Sequence, residues 1–348
     1  MNIIVTLPVD KAHREKFETL MPEAQFTYTD KKNVTQAQVA EAEIILGNLP
    51  AALLPGAKKL KWLQLNSAGA ENYTKPGVLP AGVMLTNASG AYGLAISEHM
   101  LAMLLCQMKK LPLYLENQKN GTWQDEGRVC SIYGSHTLVV GMGDIGGEFA
   151  KRMHAMGSCV KGIRRSPAAA PEYLEGMYQM DALDDLLPEA DIVAICLPGT
   201  AQTAGLFDAK RMEKMKRGAV LINVGRGNIV DTKALCEALK TGRLSAACLD
   251  VTDPEPLPAE HPLWQMPGAM ITPHIAGGYH LQATLDRILE ICARNLAAYK
   301  ENRPLENSVD FKTGYRRTPK SSKMSFFYNR TARQCGMLFL SKEKEHGK

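Results

Sequence analysis

The chain of 348 residues is long enough for two domains with separate cores. Its net charge of +5 gives no argument for nucleic acid, because residues 313–348 hold nine Lys/Arg against two Asp/Glu and leave the rest slightly acidic. No apolar run reaches membrane-spanning length, MNIIVTLPVD lacks the basic region of a signal peptide, and the eight cysteines include no CxxC pair, which together point to a cytoplasmic protein with free thiols.

From Met1 to about Ala88, short apolar runs (Ile3 to Leu7, Ile44 to Leu46, Trp62 to Leu65, Val83 to Leu85) alternate with helical patterns at Lys11 to Leu20 and Gln36 to Ala42. Strands alternating with helices predict a parallel sheet covered on both faces. The loop NSAGAEN, Asn66 to Asn72, follows one of these strands and carries small residues. Exposed N–H groups there can hold a carboxylate, although a plain strand-to-helix connection reads the same way.

Ser97 to Lys110 is apolar nearly all round and predicts a buried helix, its Met residues serving as core filler. Next, Thr137 to Ser166 reads as a strand, a turn carrying Gly141, Gly143 and Gly146, a helix, and a second strand from Cys159 to Ile163. The three glycines make the turn, let backbone approach a pyrophosphate, and let helix lie close on strand; a lone GxGxxG can be an ordinary glycine turn, but this βαβ setting favours a dinucleotide. NAD binders usually place an acid at the end of the second strand, whereas here stand Arg164, Arg165 and Ser166. Forked guanidinium donors suit a 2′-phosphate, which predicts NADP(H) as the preferred cofactor with NAD(H) still possible, against the alternative of a solvated basic strand end.

Helices near Asp181 to Leu187, Asp208 to Met215 and Thr232 to Thr241 then alternate with strands Asp191 to Cys196, Ala219 to Val224, Ser245 to Leu249 and Ala269 to Thr272. A long helical pattern from about His280 to Lys300 carries the chain back to the first domain. The segment 313–348 is basic and without clear period, and is expected to be disordered.

Three strands of the second half end in INVGRGNIVD with Arg226, LDVTDPEPLP with Asp250 and Glu255, and ITPHIAGG with His274. Strand ends in an open α/β sheet converge on one crevice. An Arg to grip a carboxylate, a His to give a proton to a carbonyl oxygen, and an acid beside the His form a complete set for reducing a 2-oxo acid. Singly, each residue reads equally as a turn, surface or structural group.

In family order and spacing, GMGDIG, CLPGTAQT, NVGRGNIVD, LDVTDPEPLP and TPHIAGG resemble the D-isomer-specific 2-hydroxyacid dehydrogenase family over residues 1 to about 312, particularly its glyoxylate and hydroxypyruvate reductase-like branch. The resemblance implies two doubly wound parallel-sheet α/β domains, a Rossmann cofactor domain (99–278) inserted into a flavodoxin-like substrate domain (1–98 plus 279–312). It implies that Arg226 binds substrate, that His274 is the acid/base paired with Glu255, and that the backbone of Ser67, Ala68 and Gly69 receives the carboxylate of a small 2-oxo acid. Asp250 would hold the nicotinamide carboxamide. Asp144, Ile145, Leu197, Pro198, Thr203, Val224, Gly225 and Gly277 would line the cofactor, with no metal and no membrane contact. A homodimer through the cofactor domains is likewise implied. Two rivals stand beside this reading: a dinucleotide-sensing, co-repressor-like binding protein, and a dehydrogenase of a phosphorylated hydroxy acid.

Overall fold

The computed structural model describes residues 1–312. The expectation of disorder for 313–348 lies outside the described residues. Two parallel sheets form two α/β domains.

The first sheet has five strands, β1 (Asn2–Val5), β2 (Gln25–Tyr28), β3 (Ile44–Leu46), β4 (Trp62–Gln64) and β5 (Met84–Thr86), in the order β2-β1-β3-β4-β5. Helix α1 (Lys11–Leu20), capped by the Asp10 carboxylate, and helix α2 (Gln36–Glu41), closed by a Thr35/Gln38 capping box, are its crossovers. Strand β2 escapes a reading by apolar runs because none of its four residues is fully buried, as befits an edge.

Helix α3 (Gly93–Met108) leaves the first sheet and packs on the second. It begins four residues before the apolar pattern does, at Gly93 rather than Ser97. Helix α4 (Leu111–Lys119) follows it and buries none of its residues, so it left no periodic signal.

The second sheet has seven strands in the order β12-β11-β10-β9-β6-β7-β8. They are β6 (His136–Val140), β7 (Cys159–Ile163), β8 (Gly176–Tyr178), β9 (Ile192–Ile195), β10 (Ala219–Asn223), β11 (Leu244–Leu249) and β12 (Ala269–Ile271). Strand β8 is a half-buried three-residue edge that the sequence did not announce. Helices α5 (Asp144–Ala155), α6 (Leu183–Leu186), α7 (Ala209–Lys214) and α8 (Thr232–Lys240) connect the strands. The strand order reverses between β6 and β9, where such sheets open a crevice at the carboxyl ends of the strands.

Helix α9 (Gln282–Lys300) returns to the first sheet. There the Asn295 amide donates to Gln64 Oε1 at 2.8 Å, Thr86 Oγ1 donates to the same oxygen at 2.7 Å, and the Trp62 indole N–H donates to Thr86 at 2.8 Å. These groups are fully buried, so leaving one of them unpaired would cost about 1–3 kcal/mol. The Trp62 and Tyr299 rings stack at 5.6 Å between centroids, and the Val309 N–H donates to the Leu85 carbonyl. The seven described cysteines are free thiols, and among the described residues no helix is long and apolar enough to cross a membrane.

Candidate active site

The glycine turn at the end of β6 is shaped by contact. Gly141 has φ +109°, and a Cβ there would lie 2.6 Å from the Cys196 carbonyl oxygen, in the segment after β9. A Cβ on Gly146 would lie 2.2 Å from the Gly141 carbonyl oxygen, so this glycine lets the start of α5 sit on the turn. Beside Gly143 there is open space, which leaves its backbone approachable at the N-terminus of α5. One tight turn, one close helix start and one open backbone position fit a pyrophosphate held by helix N–H groups.

Asp144 opens helix α5 directly after Gly143. Its carboxylate accepts from the N–H groups of Tyr92 (3.1 Å) and Gly93 (2.9 Å), and so tethers the glycine turn to the start of α3. Burial pushes this carboxyl above the usual carboxylate range, against the opposing pull of those N–H donors. Ile145 is half-buried in the first turn of α5. Arg164, Arg165 and Ser166 follow the end of β7, the first half-buried and the other two exposed.

Loops after β9 and β10 form the neighbouring wall. Leu197 is buried and Pro198 half-buried. Thr203 is also buried; its hydroxyl donates to the Pro198 carbonyl at 2.7 Å and accepts from the Thr200 N–H at 2.9 Å, which folds this loop on itself. Val224 is buried, and a Cβ on Gly225 would lie 2.4 Å from the Leu197 carbonyl oxygen. Burial also raises the Cys196 thiol to about 12, so it stays protonated and inert at neutral pH.

Arg226 follows directly. Its Nη1 donates to the Gly225 carbonyl at 2.7 Å, and its Nη2 reaches Glu71 in the loop after β4, at 3.2 Å from Oε1 and 3.3 Å from Oε2. The guanidinium lies so close to Gly69 that a Cβ there would fall 2.0 Å from Nη2. The structure thus brings Arg226 against Gly69, the last residue of the segment Ser67, Ala68, Gly69.

That segment is hydrogen-bonded on one side of its backbone only. The Asn66 carbonyl accepts from the Tyr92 hydroxyl, that of Ser67 from the Ala88 N–H, that of Ala68 from Asn87, and that of Gly69 from the Ser67 hydroxyl. Among the described residues, no acceptor meets the N–H groups of Ser67, Ala68 or Gly69. Three such donors beside a guanidinium make a site for an anion.

The ends of β11 and β12 carry the other groups. Asp250, 3% exposed, accepts from the Thr272 hydroxyl (2.6 Å) and the N–H groups of Ile275 (3.0 Å) and Ala276 (3.1 Å), while its backbone carbonyl takes the His274 N–H. It therefore shapes the turn that holds His274 at φ +52°, a left-handed conformation costing roughly 1–3 kcal/mol and maintained by such surrounding bonds. The Thr272 hydroxyl spends its one proton on Asp250, so the His99 Nε2 at 3.0 Å acts as the donor to Thr272.

His274 Nδ1 lies 2.6 Å from Glu255 Oε1. A carboxylate accepts there, so Nδ1 carries hydrogen and Nε2 is left for another partner. A Cβ on Gly277, a short way on, would make only ordinary contacts with Tyr92 and Ile96. The Arg226 and Glu255 segments are linked: a Cβ on Gly227 would meet the Thr252 carbonyl, and the Thr232 hydroxyl donates to the Asp253 carbonyl at 2.8 Å.

Residues 101–276 match the NAD binding domain of the D-isomer specific 2-hydroxyacid dehydrogenases. The chain belongs to the D-isomer specific 2-hydroxyacid dehydrogenase family. Glyoxylate/hydroxypyruvate reductase B of an Enterobacter species is 33% identical to this dehydrogenase over 74% of the chain and 84% of the relative. A family protein from Aeromonas salmonicida superposes with TM-score 0.78 at 34% identity, covering 89% of this chain and 99% of the other. A second, from Xanthobacter autotrophicus in complex with NADPH and MES, gives TM-score 0.76 at 26% identity over 90% and 99%. The chain spans about half the length of the D-3-phosphoglycerate dehydrogenases it also matches, 49% for that of Archaeoglobus fulgidus.

Two residues of this geometry escaped the sequence reading. Glu71 lies inside the NSAGAEN loop, where an acid following small residues is the available sign. His99 lies in an otherwise apolar helical stretch, where a lone imidazole is the sign. Among the described residues one further grouping, His136, Cys159 and Glu175, has its ligand atoms within 4.8 Å of one another at the opposite ends of the strands, and includes none of the residues above.

Proposed function

We propose that the protein is an NADPH-preferring reductase of small unphosphorylated 2-oxo acids such as glyoxylate or hydroxypyruvate, with residues 1–98 and 279–312 as the substrate half and 99–278 as the cofactor half. The observation that carries this reading is the Arg226 guanidinium against Gly69, in a segment whose Ser67, Ala68 and Gly69 N–H groups are unengaged among the described residues. A substrate carboxylate fits there, gripped by a planar cation on one side and backbone donors on the other.

When bound at the glycine turn, the reduced nicotinamide supplies the hydride. Arg226 fixes the orientation of the 2-oxo acid. His274 delivers a proton from Nε2 to the carbonyl oxygen as it gains charge, and Glu255 holds the imidazole in place by Nδ1. Asp250 keeps the His274 turn in place and retains lone pairs on Oδ2 for a carboxamide donor.

Arg164, Arg165 and Ser166, in place of an acid at the end of β7, support a 2′-phosphate, as does the likeness to a structure holding NADPH. Steady-state assays of both reduced cofactors against a 2-oxo acid panel test the reading. The expected result is about tenfold or greater preference for NADPH, lost in Arg164→Ala/Arg165→Ala. Equal efficiency with NADH removes the preference, and cofactor binding without turnover on any 2-oxo acid favours the sensor.

The same reading includes a homodimer through the cofactor halves. Leu111, Leu113 and Leu115 on α4, with Trp123 and Tyr133 beyond it, are exposed large apolar groups of the kind an interface covers. Light scattering is expected to give twice the chain mass; a monomer at micromolar concentration would refute this.

A further inference from the structure

We propose that Glu71 is a positioning residue that holds the Arg226 guanidinium ready for the substrate carboxylate. The inference rests on the reading of Arg226 as the carboxylate-binding group. An arginine presents five N–H donors in a rigid plane, and two anchors define that plane. Here one anchor is the Gly225 carbonyl on Nη1 and the other is the Glu71 carboxylate on Nη2. The remaining donors stay available beside the Ser67 to Gly69 segment, against which Nη2 already rests.

The position of Glu71 in the chain strengthens the case. It stands two residues after Gly69, on the same loop, whereas Arg226 comes from the end of β10 in the other sheet. The ion pair therefore joins the two halves of the cleft before any substrate arrives, and sets the guanidinium against the backbone donors with which it must cooperate. Glu71 Oε1 is buried and, although ion-paired, accepts no hydrogen bond, while Oε2 accepts from Arg226 Nη2 at 3.3 Å, so among the described residues the carboxylate serves Arg226 as an acceptor and not a dense set of other contacts. A substrate carboxylate then meets a cation whose side-chain freedom has already been restricted.

A different role would give the opposite result. If the Glu71 carboxylate merely occupied the place of the substrate's, removing it would tighten binding. Oxalate, a planar carboxylate that needs no turnover, separates the two when titrated calorimetrically into protein saturated with NADPH. Positioning predicts that Glu71→Ala weakens oxalate by about tenfold or more and raises KM for glyoxylate similarly with a smaller fall in kcat, while Glu71→Gln, which keeps an acceptor on Nη2, recovers much of the loss. NADPH affinity, read by fluorescence, is expected to be the same in all three proteins and reports intact folding of the cofactor half. Unchanged or tighter oxalate binding by Glu71→Ala overturns the proposal and leaves the reading of Arg226 standing. Failure of the wild-type protein to bind oxalate overturns both.

Discussion

His274→Ala is expected to lower kcat for 2-oxo acid reduction by roughly 10²–10⁴-fold, the range by which a positioned general acid accelerates a reaction. The physical cause is specific to this turn. Asp250 binds the N–H groups of Ile275 and Ala276, its carbonyl accepts the N–H of His274, and Glu255 fixes Nδ1, so the ring loses most of its freedom. Alanine leaves the turn's backbone partners intact but offers no proton at the position of Nε2. NADPH affinity is expected to stay near the wild-type value, since the glycine turn is a separate structure at the end of β6. Pre-steady-state and steady-state rates measured on the same preparation check this, and turnover within tenfold of wild type would show that another group supplies the proton. Glu255→Gln is the natural companion, since it keeps a hydrogen-bond partner for Nδ1 and removes the negative charge.

Arg226→Gln is expected to raise KM for glyoxylate by about 100-fold and to lower kcat as well, because an oriented carboxylate is needed both to bind and to present the carbonyl carbon. Arg226→Lys is expected to recover little, because a point charge on a flexible stem replaces neither the fork nor the anchor on the Gly225 carbonyl. Initial rates over a wide substrate range decide the matter. A variant with unaltered KM would show that the carboxylate is held elsewhere.

The strands of both sheet interiors were legible because each is a short, continuous apolar run between turn residues, and buried parallel strands have that composition. The elements that escaped are only partly buried: β2 and β8 at sheet edges, and α4, none of whose residues is buried. The glycine turn could be read because steric need leaves a mark on the sequence; Gly141 and Gly146 stand where a methyl group would collide with backbone. Arg226, Glu255 and His274 were visible as polar residues at the ends of apolar strands. Their partners were less so. The Arg226 to Glu71 pair spans 155 residues and joins two sheets, and nothing in local pattern encodes which acid meets which base. Asp144 illustrates the same limit: its carboxylate accepts from the Tyr92 and Gly93 N–H groups some fifty residues earlier, a pairing that local pattern does not encode.

The buried bonds among Trp62, Gln64, Thr86 and Asn295 bear on how the protein is made. A ribosome delivers the first three well before the fourth, so the amino-terminal strands emerge with the Gln64 side chain lacking one of its partners until α9 has been synthesised. The seven-stranded half is contiguous and can condense as soon as β12 is out of the exit tunnel. Synthesis of this chain thus favours a seam closed late, with the early strands β4 and β5 meeting the later helix α9 at Asn295.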